Sequence, residues 1–253
     1  MSEVSHFDAG LLPWLGVCAV AFAASILGGL AGYGTGLVLP VFLAPLVGIA
    51  NVVPVMALAM LLNNGSRVVA FWRDVQWAHV RRMLLLGLPA CALGAWGYTL
   101  LQARGVALLL GGFLVISVPL RRGLKRLNWV LTPKVQVAAG AGFGVLNGGL
   151  AGMGVLLVAM LMAAGLQGPA LIATDAAISF VMGVLKVVLF GSLSRLDMQL
   201  ALAGLLVGLC TMPGAFVARR LLERIPARVH GWVMEVVVLL GGVALLLQGL
   251  ARP

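Results

Sequence analysis

Gly28-Gly29-Leu30-Ala31-Gly32-Tyr33-Gly34 lies inside hydrophobic sequence, and 120 residues later the chain reads Gly148-Gly149-Leu150-Ala151-Gly152-Met153-Gly154. Six of the seven residues match. Glycine in a helix interior costs about 1 kcal/mol relative to alanine, so four within seven residues mark a break, a close approach of backbones, or both.

The sequence around both copies belongs in a membrane. Hydrophobic residues make up 62% of the 253 and charged residues only 9%, with a mean hydropathy of +1.12. A soluble domain carries about 25% charged residues. The net charge of +10 would suggest nucleic acid in a soluble protein. Here the basic residues sit in short segments between apolar runs, as the positive-inside bias predicts, and no nucleic-acid partner is expected. The N-terminal stretch Met1 to Gly10 has Glu3 and Asp8 but no basic residue, so the first apolar run is expected to be retained as a membrane segment.

A spanning helix needs about 20 apolar residues, within a range of roughly 17 to 25. The first half then reads as 11–31, a short piece at 35–48, 52–72, 83–101 and 105–120. The second half reads as 135–150, a short piece at 153–165, 169–191, 198–217 and 231–250. The lengths follow the same order, and each short piece comes immediately after a glycine motif. The chain is therefore an internal duplication: one integral membrane domain over 1–253, with repeat one at about 11–120, a linker at about 121–134 and repeat two at about 135–250. Weaker matches agree. Gly87, Pro89, Cys91 and Gly94 correspond to Gly208, Cys210, Pro213 and Gly214, and Arg73-Asp74 to Arg195-Leu196-Asp197.

Arginine and lysine set the orientation. Arg73, Arg81 and Arg82 fall in one predicted loop, Arg121, Arg122, Lys125, Arg126 and Lys134 in a second, and Arg219, Arg220, Arg224 and Arg228 in a third. These three should be cytoplasmic. Arg104, Arg195 and Arg252 are then outside, as are both chain termini. One half starts outside and the other inside. The expected fold is an all-α polytopic membrane protein of two inverted-topology repeats, with glycine-broken or re-entrant helices and 8–10 membrane segments in all, a construction that recurs in secondary transporters.

Two basic residues remain within apolar segments, Arg67 and Lys186. An ionisable group at membrane depth costs at least about 2.5 kcal/mol on insertion scales and so marks function or a partner. Each lies about 7–8 Å from an interface at 1.5 Å per residue, within snorkelling reach, which is the plain structural alternative. Their neighbours are polar. Asn63, Asn64 and Ser66 sit within a turn of Arg67, while Asp175, Ser179 and Lys186 follow at spacings of four and seven. Asp175 lies at the depth inferred for Arg67, and the two are expected to pair across the repeat interface. Lys186 then has no acidic partner, and an anion would supply the missing charge. Asp175 is the one deep carboxylate open to proton coupling.

A helix restarting after each glycine motif would present free N–H groups and its positive dipole end to an anion. The substrate-binding candidates are therefore Gly32, Gly34, Thr35, Gly36, Asn63, Asn64, Arg67, Gly152, Gly154, Asp175, Ser179 and Lys186. The competing reading is that the glycines only let helices touch. A likeness of Gly32-Tyr33-Gly34-Thr35-Gly36 to a potassium-filter strand is not kept in the second copy. No GxSxG, HExxH or Walker loop occurs, and His6, His79 and His230 fall in predicted loops. Neither an enzyme nor a metal or other cofactor is expected. Cys18, Cys91 and Cys210, each within an apolar run, read as small packing residues.

The duplicated glycine break, the following Pro40, the turns Gly48 to Pro54 and Gly165 to Pro169, and the closing Asp74-Val75-Gln76-Trp77 together resemble the sulfite exporter TauE/SafE family over roughly residues 11 to 250. The second copy departs from the first at Ala159-Met160, where the first has Leu39-Pro40, and at Val155 and Leu156. The resemblance implies a bacterial inner-membrane permease moving sulfite, sulfonate or a related small sulfur-containing anion, by alternating access if it is a carrier. A passive anion channel and a non-transporting scaffold subunit are the alternatives, and the oligomeric state is open.

Overall fold

The computed structural model describes residues 10–126 and 131–221, together with helical positions 239, 243, 246, 247 and 250. The first nine residues with His6, the linker positions 127–130, and Arg224, Arg228 and His230 lie outside the described residues. So does most of the predicted segment 231–250. Among the described residues the chain is helical and contains no strand. Its helices are α1 (Leu11–Ala31), α2 (Thr35–Val47), α3 (Val52–Ala70), α4 (Trp77–Thr99), α5 (Ala103–Arg126), α6 (Pro133–Gly149), α7 (Gly154–Ala163), α8 (Gly168–Ser192) and α9 (Met198–Leu221). Four of these, α1, α3, α8 and α9, are long and apolar enough by themselves to cross a membrane. The protein is an all-α polytopic membrane protein.

Where the chain can stop a helix, it does so with the residues chemistry requires. Gly32 takes the left-handed conformation at φ 81° and its N–H closes onto the Gly28 carbonyl at 2.8 Å, ending α1. Pro133 and Pro169 open α6 and α8, where a missing N–H costs nothing. The short α2 and α7 have 13 and 10 residues. At 1.5 Å per residue they are about 20 and 15 Å long, too short for a hydrocarbon layer of about 30 Å. The first of them doubles back: the Thr35 hydroxyl donates to the Ala24 carbonyl at 3.0 Å, and Phe42, Pro45 and Leu46 share a groove with Pro13, Gly16 and Val17 near the start of α1.

Two of the predicted loops are helix instead. His79, Arg81 and Arg82 belong to the first turns of α4, and α5 runs on through its basic end to Arg126. These helices run past the predicted limits of the apolar stretches, because a helix can keep its internal hydrogen bonds beyond the hydrocarbon boundary. His79 uses its place in α4 to bond the buried Gln136 of α6 at 3.0 Å, and Gln136 in turn donates to the Leu131 carbonyl.

The duplication is visible in the packing. Helix α1 packs on α9 as α6 packs on α4, α3 packs on α9 as α8 packs on α4, and α3 meets α8. These are the same contacts with repeats exchanged. Along the central pair, Arg67 lies beside Ile172 and Asp175, Gly65 against Phe180, and Leu61 against Gly183. Numbers fall on one helix as they rise on the other, so the equivalent helices α3 and α8 run antiparallel. The two-fold relating the repeats is thus perpendicular to the helices, which is inverted topology.

Glycine makes the close packing. On the α4–α6 seam a Cβ at Gly140, Gly144 or Gly148 would collide with the carbonyl oxygens of Met83, Gly87 and Cys91 respectively. Backbones touch there, as small residues at four-residue spacing permit. Gly94 packs on Val145 of α6 as Gly214 packs on Ser25 of α1. Two bundles result, one of α1, α3 and α9, the other of α4, α6 and α8. Each mixes helices of both repeats.

Candidate functional site

Between the bundles, the two glycine breaks meet. Gly34 stands at φ 133° and Gly152 at φ 86°, conformations that a side chain resists. A Cβ on Gly36 would sit 3.0 Å from the Gly152 backbone, and one on Gly154 would lie 3.4 Å from Tyr33 Cβ. Helix α2 therefore starts against the second break and α7 against the first. At the start of α2, the Gly34 carbonyl accepts from the N–H groups of Leu37 and Val38. The N–H groups of Thr35 and Gly36, one residue and two residues into the helix, make no hydrogen bond among the described residues. The positive end of a helix dipole is exposed there to whatever occupies the space beside it.

That space is a cavity of about 70 Å³. Its wall contains Gly32, Gly34, Thr35 and Gly36 from the first break, and Gly152 and Gly154 from the second. Asn63, Asn64 and Arg67 come from α3, and Asp175, Ser179 and Lys186 from α8. The structure thus brings all the sequence-selected residues to one place. A single water needs about 10–15 Å³ of such volume, so the cavity has room for more than one water or for one small polyatomic ion.

One end of the cavity is held by an ion pair. Arg67 Nη2 lies 3.0 Å from Asp175 Oδ2, with both side chains buried. Arg67 also donates to Asn64 Oδ1 at 3.2 Å, and, at 3.4 Å each, to the carbonyls of Gly32 and Ile172. The expected pairing across the repeat interface is present, with an addition that sequence did not show: the guanidinium caps the C-terminal end of α1 at the break. A cation there complements the negative end of the helix.

Lys186 does the corresponding work at the other end. Its Nζ donates to the carbonyl of Asn147, in the last turn of α6, at 3.0 Å. Each long helix that follows a break thus sends a cation to the C-terminal end of the broken helix in its own repeat. The difference lies in what else the cation meets. Arg67 has a carboxylate. Lys186 has none within ion-pair distance among the described residues, and it keeps two further N–H donors on a side chain that lines the cavity. In the α3–α8 register, Lys186 stands level with about residue 57 of α3, ten residues from Arg67, or about 15 Å along the axis. Asn63, Asn64 and Ser179 fall midway.

Three buried polar atoms on this wall have no hydrogen-bond partner among the described residues: Asn63 Oδ1, Asp175 Oδ1 and Arg67 Nε. Orphaned buried groups are rare, because each costs about 1–3 kcal/mol. All three belong to residues of the cavity wall.

Sequence reasoning passed over Asn147, whose carbonyl holds Lys186 and whose side-chain amide lies 3.3 Å from Met182 Sδ. Its signal was available: an asparagine immediately before the second Gly-Gly, where the first copy has Leu27. Tyr33, Met56, Met60 and Gly183 also line the wall but carry no pattern distinguishing them from ordinary membrane sequence. The motif glycines divide their duties. Gly29 packs against Ala218 and Gly148 against Cys91 and Ala95, whereas Gly32, Gly34 and Gly152 form the breaks. Helix contact and backbone access to the cavity are both present, at different positions of one motif.

Comparison with known proteins gives one match. The family described as Sulfite exporter TauE/SafE matches residues 17–245, which takes in both glycine breaks and every residue of the cavity wall. No curated protein and no solved structure matches. With nearly its whole length covered, the chain belongs to the sulfite exporter TauE/SafE family.

Proposed function

We propose that the protein is a secondary transporter that exports a small sulfur oxyanion, with sulfite as the best fit, across the bacterial cytoplasmic membrane by alternating access. The observation that carries this reading is the cavity between the two breaks. It has a lysine with unspent donors at one end, an arginine at the other, and a helix N-terminus between. Its volume of about 70 Å³ has room for a small oxyanion. Such an anion would accept from Lys186 Nζ, from the free N–H groups of Thr35 and Gly36, and from the amides of Asn63 and Asn64.

Inverted repeats support the transport mode, since exchanging the conformations of the two halves turns an outward-open cavity into an inward-open one. The three basic clusters favour cytoplasmic placement of the α3–α4 turn, the 121–134 linker and the end of α9, with both termini outside. No step of this scheme uses an enzyme activity or a cofactor. Purified protein in liposomes loaded with sulfite should show saturable counterflow of labelled sulfite. Conductance without counterflow would indicate a channel. Absence of both, in folded protein, would leave a scaffold.

A further inference from the structure

The charged groups that line the cavity are Arg67, Lys186 and Asp175, a net of one positive charge. A singly charged anion would balance them, whereas a doubly charged one leaves an excess negative charge between helices of the membrane region. One atom on the wall makes that excess worse. Asp175 lines the cavity; its Oδ2 is committed to Arg67, while Oδ1 is buried and has no hydrogen-bond partner among the described residues. An oxyanion at the Arg67 end of this cavity lies beside a carboxylate that lines the same wall, and two like charges close together repel strongly. A proton on the carboxyl removes the repulsion and turns an unsatisfied acceptor into an O–H donor.

Resting on the anion-transport reading above, we infer that the cavity takes a doubly charged oxyanion together with one proton, and that Asp175 holds the proton. The balance then closes at zero: two cations, one neutral carboxyl and one dianion. The proton comes from water and is released when the anion leaves. The loaded site crosses with one net negative charge fewer than the anion alone would carry.

Other titratable groups surround α8 but stand off the cavity. Tyr33 lines the wall with Arg67 and Lys186. The turn before α4 carries Arg73 and Asp74, α4 carries His79, Arg81, Arg82, Cys91 and Tyr98, α1 carries Cys18, α6 carries Lys134, and α7 carries none. None of these except Tyr33 touches the cavity, and a variant at Asp175 separates its proton from theirs.

The test is calorimetric titration of the purified protein with sulfate, which stays doubly charged throughout the neutral range. Two buffers of different ionisation enthalpy give the number of protons taken up. We expect about one proton per sulfate, and affinity falling about tenfold per pH unit on the alkaline side, as linkage of one proton requires. Asp175→Asn should bind without uptake and without the slope; Asp175→Glu should keep both. Sulfate binding to the wild type with no uptake overturns the inference alone, as does an unchanged uptake in Asp175→Asn. If Asp175→Asn does not fold, the wild-type proton number and slope still decide. If the cavity accepts only sulfite, the same count is made after subtracting that ion's own protonation. Failure of either anion to bind folded protein removes the transport reading itself, and the proton with it.

Discussion

Replacing Arg67 by Met should destabilise the protein more than almost any other single change in the membrane region, and adding Asp175→Leu should restore it. In the wild type the pair is 3.0 Å apart, and the side chains are 4% and 2% exposed. Removing the guanidinium leaves a buried carboxylate with no partner on either oxygen, since Oδ1 already has none. Breaking a buried pair in this way costs about 3–5 kcal/mol. The lost bonds to Gly32 and Ile172, long at 3.4 Å, add little. Asp175→Leu alone strands the arginine and should cost a similar amount. The double variant buries two apolar side chains and should come back to within about 1 kcal/mol of the wild type, because a well-packed apolar replacement of a buried pair is often neutral or better. Denaturant titration in micelles reads the stability and liposome counterflow reads the function. The double variant is expected to be stable and inactive. Single variants that each cost under about 1 kcal/mol, or a double no more stable than its parents, would refute the assignment of a closed, dry ion pair.

Lys186→Met removes a buried cation whose hydrogen-bond partner among the described residues is a carbonyl, so it should leave stability unchanged or raised while weakening anion binding at least about tenfold, the equivalent of about 1.4 kcal/mol. Calorimetry and a melting curve on the same sample separate the two effects. Gly152→Ala and Gly165→Ala both force alanine to positive φ, 86° and 90°, but a Cβ at Gly152 also meets the Gly36 carbonyl at 2.9 Å, whereas the one at Gly165 meets nothing. Both should lose about 1–2 kcal/mol for conformation; the clash adds about 1–3 at Gly152, and only that variant should stop counterflow. On α6, Gly144→Ala drives a methyl into the Gly87 carbonyl while Gly142→Ala points into open space, so the first should lower the melting temperature and the second leave it unchanged or raise it by the helix preference of alanine. Cysteines at Leu61 and Gly183, whose Cβ positions are 3.7 Å apart across the two bundles, should stop counterflow when oxidised in a background lacking the native cysteines. Cysteines at Tyr98 and Gly149, 3.9 Å apart within one bundle, should not.

Much of this could be read from the sequence because the bilayer is an exacting solvent. A charge inside an apolar run is conspicuous there, and a straight helix turns residue number into depth. Arg67 and Asp175 were matched by counting residues from the ends of their segments, and the count holds because α3 and α8 are unbroken and antiparallel. The same logic failed at the helix ends. Arg81 and Arg82 mark where the apolar stretch begins, but α4 starts at Trp77, since charge reports the edge of the hydrocarbon and not the end of hydrogen bonding.

The packing pattern was out of reach for a different reason. Internal repetition suggests that the two repeats are the working bodies, each folded on itself. The structure divides the chain otherwise: one close seam joins α6 of the second repeat to α4 of the first, where backbone touches backbone, and another joins α1 of the first to α9 of the second, where Gly29 meets the Ala218 side chain and Gly214 the Ser25 side chain. Such seams resist sliding, because interiors at this density have no slack. If the proposed alternating access moves the bundles against each other, the contact that changes is the one through α3 and α8, which carry Arg67, Asp175 and Lys186. The cavity lies between the bundles, so an occupant that neutralises the charges there changes the energy of the surface along which they meet; under the proposed alternating access that is where binding would couple to movement, without any longer-range pathway.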